Sequence, residues 1–360
     1  MSSNDISKIA GLRAELQAVL QKAVEAGVPG MSGVIACKLG VLWQGCAGRA
    51  DLLGNVPITE KHIFGIGSIT KVFVSTITLE MVEEERIALD KTVGDYLDAS
   101  VTQGILNAPQ ATISSLMSHT SGIVSWEDDP KWIREGRGVD VDPARIWGLI
   151  IQKVTGNKIE DEIRRRIFRR LRMTSTYLEG FEPVTHWPLP HRYHYATPLF
   201  RNTAGISPHF SEIRPGLIDA TSSNLSVEWA AGGMATTAYD LSLFLQALRG
   251  GRLVSPAGMT LMNTWLPVGE KVQVSHGLFR TETDGGYLIG HNGSVLGFTG
   301  CAWWAEEEDC VATLLANVGS VHAGPVLAAG SIGMGGRFVT LALELSKEWR
   351  MKAASSSEES

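Results

Sequence analysis

Apolar residues recur every three to four positions over residues 6–26, at Ile9, Leu12, Leu16, Leu20 and Val24, with Lys8, Arg13, Glu15 and Lys22 on the other faces. That spacing predicts an amphipathic helix laid over a sheet. Gly27-Val28-Pro29-Gly30 ends it, and the runs 33–38 and 41–45, separated by Leu39-Gly40, read as a hairpin that buries Val34, Ile35, Ala36 and Trp43. A helical stripe follows at Val72, Thr76, Leu79 and Val82, and a second at Leu241, Phe244, Leu245 and Leu248, capped by Thr237 and stopped by Gly250-Gly251. Residues 112–123 read as a short helix ended by glycine. Strand-like runs return at 287–289, 298–304 and 311–316, before a packing helix over 338–349. Strands therefore lie early and late, with helices between.

Two stretches break this pattern. Residues 181–223 are loop-like, with six prolines and with His186, His191, His194 and His209 among them. No helix holds those histidines on one face, so no metal is expected, and the stretch reads as a specificity loop over a pocket. Arg164-Arg165-Arg166 reads as a solvated helix face.

The chemistry concentrates at Phe64-Gly65-Ile66-Gly67-Ser68-Ile69-Thr70-Lys71. Two glycines let the backbone bend just before Ser68, which then opens an apolar helix. Residues three apart on a helix share a face, so the Lys71 amine is expected one turn below the Ser68 hydroxyl. A serine hydroxyl becomes a nucleophile when a neighbour takes its proton, and burial together with the positive end of a helix favours the neutral amine that can do so.

Composition narrows the partners. The 360 residues carry 32 Lys and Arg against 38 Asp and Glu, a net charge of −6, which argues against a nucleic-acid or anionic-membrane surface and for a small-molecule ligand. The N-terminal residues show no basic stretch followed by an apolar core, so a cytoplasmic protein is expected. Cys37, Cys46, Cys301 and Cys310 have no metal spacing and are expected to stay reduced. No apolar run is long enough to cross a bilayer. No cofactor is expected.

Further motifs join the Ser68 element: Leu116 to Ile123 with His-Thr-Ser-Gly, 149–156 ending in Val-Thr-Gly, Gly232-Gly233-Met234 followed by Asp240-Leu241-Ser242, and Gly290-His291-Asn292-Gly293-Ser294. In order and rough spacing, from about residue 25 to 320, the chain resembles the serine β-lactamase and penicillin-binding-protein family, in its class C and D-aminopeptidase/esterase branch. The resemblance implies an α/β (α+β) fold with an antiparallel sheet flanked by helices and an inserted, mainly helical domain. Residues 1–85 and 226–350 would form the sheet domain, 86–225 the insert with its specificity loop, and 351–360 a disordered tail. It also implies that Ser68 and Lys71 are catalytic and that His291 orients substrate or manages protons. The amides of Ser68 and Ser294 would form the oxyanion hole, with Asn292 and Gly293 in the wall of the pocket.

One departure bears on activity. The family supplies a catalytic tyrosine in a Y-x-N motif before the Val-Thr-Gly helix, yet no tyrosine lies between Tyr96 and Tyr177. The stretch 138–148 holds Asp140 and Asp142 instead, and Trp147-Gly148-Leu149 resembles the front of one helix joined to the back of another, as a deletion or a wrongly spliced gene would give. Without a phenol, leaving-group protonation is impaired and activated esters are the expected substrates. The leading expectation is a serine hydrolase that cleaves a small ester or amide through a Ser68 acyl-enzyme. An acyltransferase using the same intermediate comes second, and a catalytically impaired ligand-binding relative third. True β-lactamase activity ranks below esterase or amidase activity, because His291 stands where class C enzymes have lysine.

Overall fold

The computed structural model describes residues 3–123, 143–183, 188–198, 201, 206–283, 286–319 and 326–358. The hairpin is longer than its apolar core suggests: β1 spans Gly30–Cys37 and β2 Gly40–Asp51, extended by the short β3, Val56–Pro57. From the other end of the chain come β10 (Leu266–Pro267), β11 (Val272–Val274), β12 (Phe279–Thr283), β13 (Gly286–Val295), β14 (Phe298–Ala305) and β15 (Val311–Ala316). Together they make one antiparallel sheet of nine strands among the described residues, in the order β10-β11-β12-β13-β14-β15-β1-β2-β3. The two chain regions meet where β1 pairs with β15, Val34 opposite Thr313.

Alternation along β1 divides the core. Met31, Ile35 and Cys37 face α1 (Ser3–Glu25) and the C-terminal helix, while Val34 and Ala36 face the opposite side. On that second side lie α2 (Thr70–Glu83) and α7 (Ala238–Arg249). Every residue of α2 from Thr70 to Met81 is buried, so this helix is covered all round rather than amphipathic. Phe73 stacks on Phe244 of α7, with ring centroids 3.6 Å apart. Thr237 caps α7 by accepting from Asp240 N at 3.1 Å.

Between these parts run α3 (Ile113–Met117), α4 (Pro143–Thr155) and α5 (Ile159–Ile163). The Trp147-Gly148 junction lies within one uninterrupted helix: Trp147 is buried and its indole donates to Thr78 Oγ1 of α2 at 2.6 Å. Asp140, Asp142 and His186 lie outside the described residues.

Three expectations are corrected. Arg166 is not solvated; it is 5% exposed on a π-helical turn, Arg164–Phe168, and donates to Glu162, Glu80 and Glu84. Glu162 and Glu80 are themselves buried, so a guanidinium must accompany them. The stretch read as loop contains strands β6 (Tyr193–Tyr195), β7 (Ser211–Arg214) and β8 (Leu217–Asp219), and follows the short β5 (Tyr177–Leu178). Within the stretch β8 pairs with β6 and β7, and β6 reaches beyond it to β16 (Val318–Gly319); β5 pairs with β9 (Met234–Thr236), which in turn pairs with β4 (Phe64–Gly65). Finally, α9 (Arg337–Glu358), preceded by α8 (Ala329–Met334), runs into the polar stretch read as an unstructured tail. Extending an existing helix needs no new nucleus, and Ala353 and Ala354 are good helix formers.

Candidate active site

Ser68 sits in a 3-10 turn, Gly67–Ile69, that feeds directly into α2. Gly67 takes φ +53, and a Cβ there would lie 2.6 Å from Ser294 N. A Cβ at Gly293 would lie 1.8 Å from the Ile66 carbonyl oxygen. Both glycines are therefore demanded by the close approach of β13 to the turn. This contact brings the Ser294 residue beside the turn that carries Ser68.

Lys71 is 9% exposed, and its Nζ lies 3.1 Å from Ser68 Oγ and 2.9 Å from the Ala231 carbonyl oxygen. Ala231 belongs to the short helix α6, Trp229–Gly232. A carbonyl only accepts, so one Lys71 hydrogen is committed to it. Gly148 of α4 lets α6 come close, since a Cβ there would meet Ala230 Cβ at 2.8 Å and Trp229 Cζ3 at 3.0 Å.

His291 lies on the α2 side of β13, opposite Ala302. Its Nδ1 contacts the Asn292 carbonyl, which fixes Nδ1 as the protonated nitrogen and leaves Nε2 with a free lone pair. Nε2 is buried and has no partner among the described residues. Burial, and then the nearby His119 and Lys71, push this imidazole down to about 3, against the opposing pull of the Asn292 carbonyl. It is a neutral imidazole at any ordinary pH. The Phe279 ring meets it edge-on at 5.0 Å, and His119, with φ +58, stacks on Phe279 at 5.9 Å.

Asn292 does not join this group. Side chains alternate along a strand, so it points to the opposite face, where Trp303 Nε1 donates to its Oδ1 at 2.8 Å and Gly330 of α8 makes room for it. The structure thus brings together Ser68, Lys71, His291, Gly293 and Ser294, and removes Asn292. It adds the Ala231 carbonyl, His119 and Phe279. Ala231 and His119 lie within or beside motifs already legible in the sequence, Gly232-Gly233-Met234 and His-Thr-Ser-Gly; Phe279 carries no local signal.

Tyr96, Tyr177, Tyr193 and Tyr195 are engaged elsewhere. Tyr96 OH accepts from Ala88 N at 2.8 Å, Tyr193 OH from Leu52 N at 2.9 Å and Tyr195 OH from Arg214 Nη2 at 2.9 Å. Tyr177 is buried with Ile63 and Ala235. Among the described residues no group of three or more His, Cys, Asp or Glu side chains could hold a metal ion, and no helix is long and apolar enough to cross a membrane.

Comparison with known proteins adds relatives at two distances. Esterase EstB of Burkholderia gladioli is 31% identical over 141 residues, covering 38% of this chain and 34% of the esterase. Penicillin-binding protein 4 of Amycolatopsis lactamdurans is 28% identical over 142 residues, 32% of this chain and 36% of that protein. The matches span about a third of the length of these curated relatives. Among solved structures, D-amino acid amidase from Ochrobactrum anthropi SV3, complexed with D-phenylalanine, superposes with a TM-score of 0.77 at 25% identity over 93% of this chain and 99% of the other. A D-stereospecific amidohydrolase from Streptomyces shares the fold with a TM-score of 0.73 at 23% identity, over 93% and 98% of the two chains. With the Beta-lactamase family model matching residues 16–329, the chain belongs to the β-lactamase family.

Proposed function

We propose that the protein is a serine hydrolase that cleaves a small ester or amide through an acyl-enzyme on Ser68. The observation that carries the reading is the Lys71 amine 3.1 Å from Ser68 Oγ and anchored on the Ala231 carbonyl at 2.9 Å. With one hydrogen held by that carbonyl, the amine has its remaining valence turned toward Ser68, from which it takes the serine proton as the reaction proceeds. Ser68 Oγ bonds to the substrate carbonyl carbon as its proton passes to Lys71 Nζ. The oxygen of the tetrahedral intermediate takes the negative charge, which the amides of Ser68 and Ser294 stabilise. The carbonyl then reforms, the bond to the leaving group breaks, and Lys71 returns the proton to the departing oxygen or nitrogen. Water repeats the sequence on the acyl-enzyme and releases the acid. The His291 Nε2 lone pair accepts a hydrogen bond from substrate or from that water.

Without a tyrosine among the groups at hand, the leaving group depends on Lys71 alone, so esters with acidic leaving groups react faster than amides. The names of the relatives, an esterase and a D-amino acid amidase, are in keeping with this substrate class. The test is intact-mass spectrometry after exposure to p-nitrophenyl butyrate. One butyryl group is expected, mapped to Ser68 and absent from Ser68→Ala; an unmodified protein that also releases no p-nitrophenol above the Ser68→Ala background rules the hydrolase out. Product partitioning to an added alcohol instead of water identifies a transferase.

A further inference from the structure

Glu179 follows directly on β5 and touches both ends of the turn that carries α6. Its N–H donates to the Gly233 carbonyl at 3.0 Å, and its Oε2 accepts from Leu225 N at 3.2 Å. Between those ends the bonds continue: Glu228 N donates to Leu225 O at 3.0 Å, Ala231 N to Glu228 O at 2.8 Å, and Gly233 N to Trp229 O at 2.8 Å. The Ala231 carbonyl that accepts from Lys71 Nζ thus belongs to a turn pinned at entry and exit by one residue. Neither flank leaves slack. A Cβ at Gly180 would meet Ser226 Cβ at 2.5 Å, and one at Gly65, on the approach to Ser68, would meet Leu225 Cδ1 at 2.6 Å.

The pinning carboxylate is itself buried with a cation. Glu179 is 6% and Arg192 4% exposed, and Arg192 Nη2 donates to Glu179 Oε1. The guanidinium lies over the Phe298 ring, 5.3 Å from its centroid, while its Nη1 has no hydrogen-bond partner among the described residues. Burying an ion pair with one donor unmet costs desolvation energy, and apolar side chains of equal volume often stabilise a fold as well or better. What an apolar pair cannot supply is an acceptor for Leu225 N.

We infer that Glu179 is a positioning residue for Lys71. It fixes the turn 225–233 at both ends, with Arg192 holding its other oxygen, and so keeps the Ala231 carbonyl where it orients the amine. The inference rests on the Ser68 acyl-enzyme reading. Glu179 reaches the chemistry only through the turn, so its loss slows acylation and leaves substrate binding as it was.

The test separates placement from stability. Acylation by p-nitrophenyl butyrate in stopped flow has an amplitude that counts folded sites and a rate constant that reports their geometry. In Glu179→Gln the side-chain nitrogen can no longer accept, so the bond to Leu225 or the one to Arg192 is lost. The rate constant is expected to fall about tenfold or more, at near-native amplitude and unchanged half-saturation. The apolar double variant Glu179→Leu, Arg192→Met is expected to melt near the native temperature and yet to stay slow; a native rate in it overturns the inference. Glu182→Gln is the control, since that buried carboxylate accepts from Leu178 N at 2.7 Å and from Arg164, serving β5 rather than the turn. A Glu179→Gln rate constant within about twofold of native, or a fall matched by Glu182→Gln, overturns the inference. Amide hydrogen exchange gives a readout without substrate. In Glu179→Gln, exchange over 225–233 is expected to quicken about tenfold or more while α2 stays as protected as before, and unchanged exchange there overturns the inference even if no acyl-enzyme forms. Failure of the native protein to acylate counts against the Ser68 reading alone.

Discussion

At Lys71 the count of hydrogens decides the chemistry. The Ala231 carbonyl can only accept and Ser68 Oγ stands 3.1 Å away, so Lys71→Ala removes the sole basic group hydrogen-bonded to Ser68 among the described residues. Acylation by p-nitrophenyl butyrate, followed by stopped-flow absorbance, is expected to slow about a thousandfold in Lys71→Ala, with binding of substrate little changed. His291 makes a prediction of opposite kind. Its folded value of about 3 lies below the ordinary 6.5, so the unfolded chain takes up the proton first as pH falls. Its contribution to stability is complete above 6.5 and is lost progressively as pH drops toward 3. The melting temperature of the native protein, measured against His291→Asn by calorimetry, should therefore lose ground between pH 6.5 and pH 4. The pH profile of kcat/KM should show no step from this imidazole near 6.5.

Elements convey these constraints from a distance. Gly148 of α4 admits α6, whose Ala231 carbonyl orients the lysine. Gly148→Val is expected to push α6 outward and lower kcat about a hundredfold, read with the same ester, because a misplacement of about 1 Å at a catalytic contact has that effect. At the far end of α2 the buried Arg166 holds Glu80 and Glu162. Arg166→Leu removes one donor from each buried carboxylate, leaving Glu80 to Arg170 and Glu162 to Arg165 and Asn157, and should destabilise the fold by about 1–3 kcal/mol, measured by urea denaturation. The same elements explain what was readable in advance. The Ser68 turn, the stripe of α2, the Thr237 cap and the pattern of β13 to β15 are local, so spacing alone revealed them. Arg166 was misread because the carboxylate Glu80 lies 86 positions earlier in the chain. Asn292 was misread because neighbouring residues of a strand face opposite ways, and a motif written as letters does not record which side each letter takes.

Over the whole molecule, the candidate site is assembled from Gly67, Ser68, Lys71, Ala231, His291, Gly293 and Ser294, and β1 finds its neighbours in β2 and, far along the chain, in β15. Contacts of such long range form late in folding. Refolding from denaturant, followed both by far-ultraviolet circular dichroism and by quenching aliquots into labelled ester, should show Ser68 acylation rising only with the last structural phase. A substantial adduct during the first phase would contradict this.

The closing of β15 against β1 also has a bearing on life at the ribosome. A growing chain presents Ser68 and Lys71 long before the strand that carries Ser294 has been synthesised, so the proposed nucleophile and the amides assigned to its oxyanion hole meet only when the second half arrives.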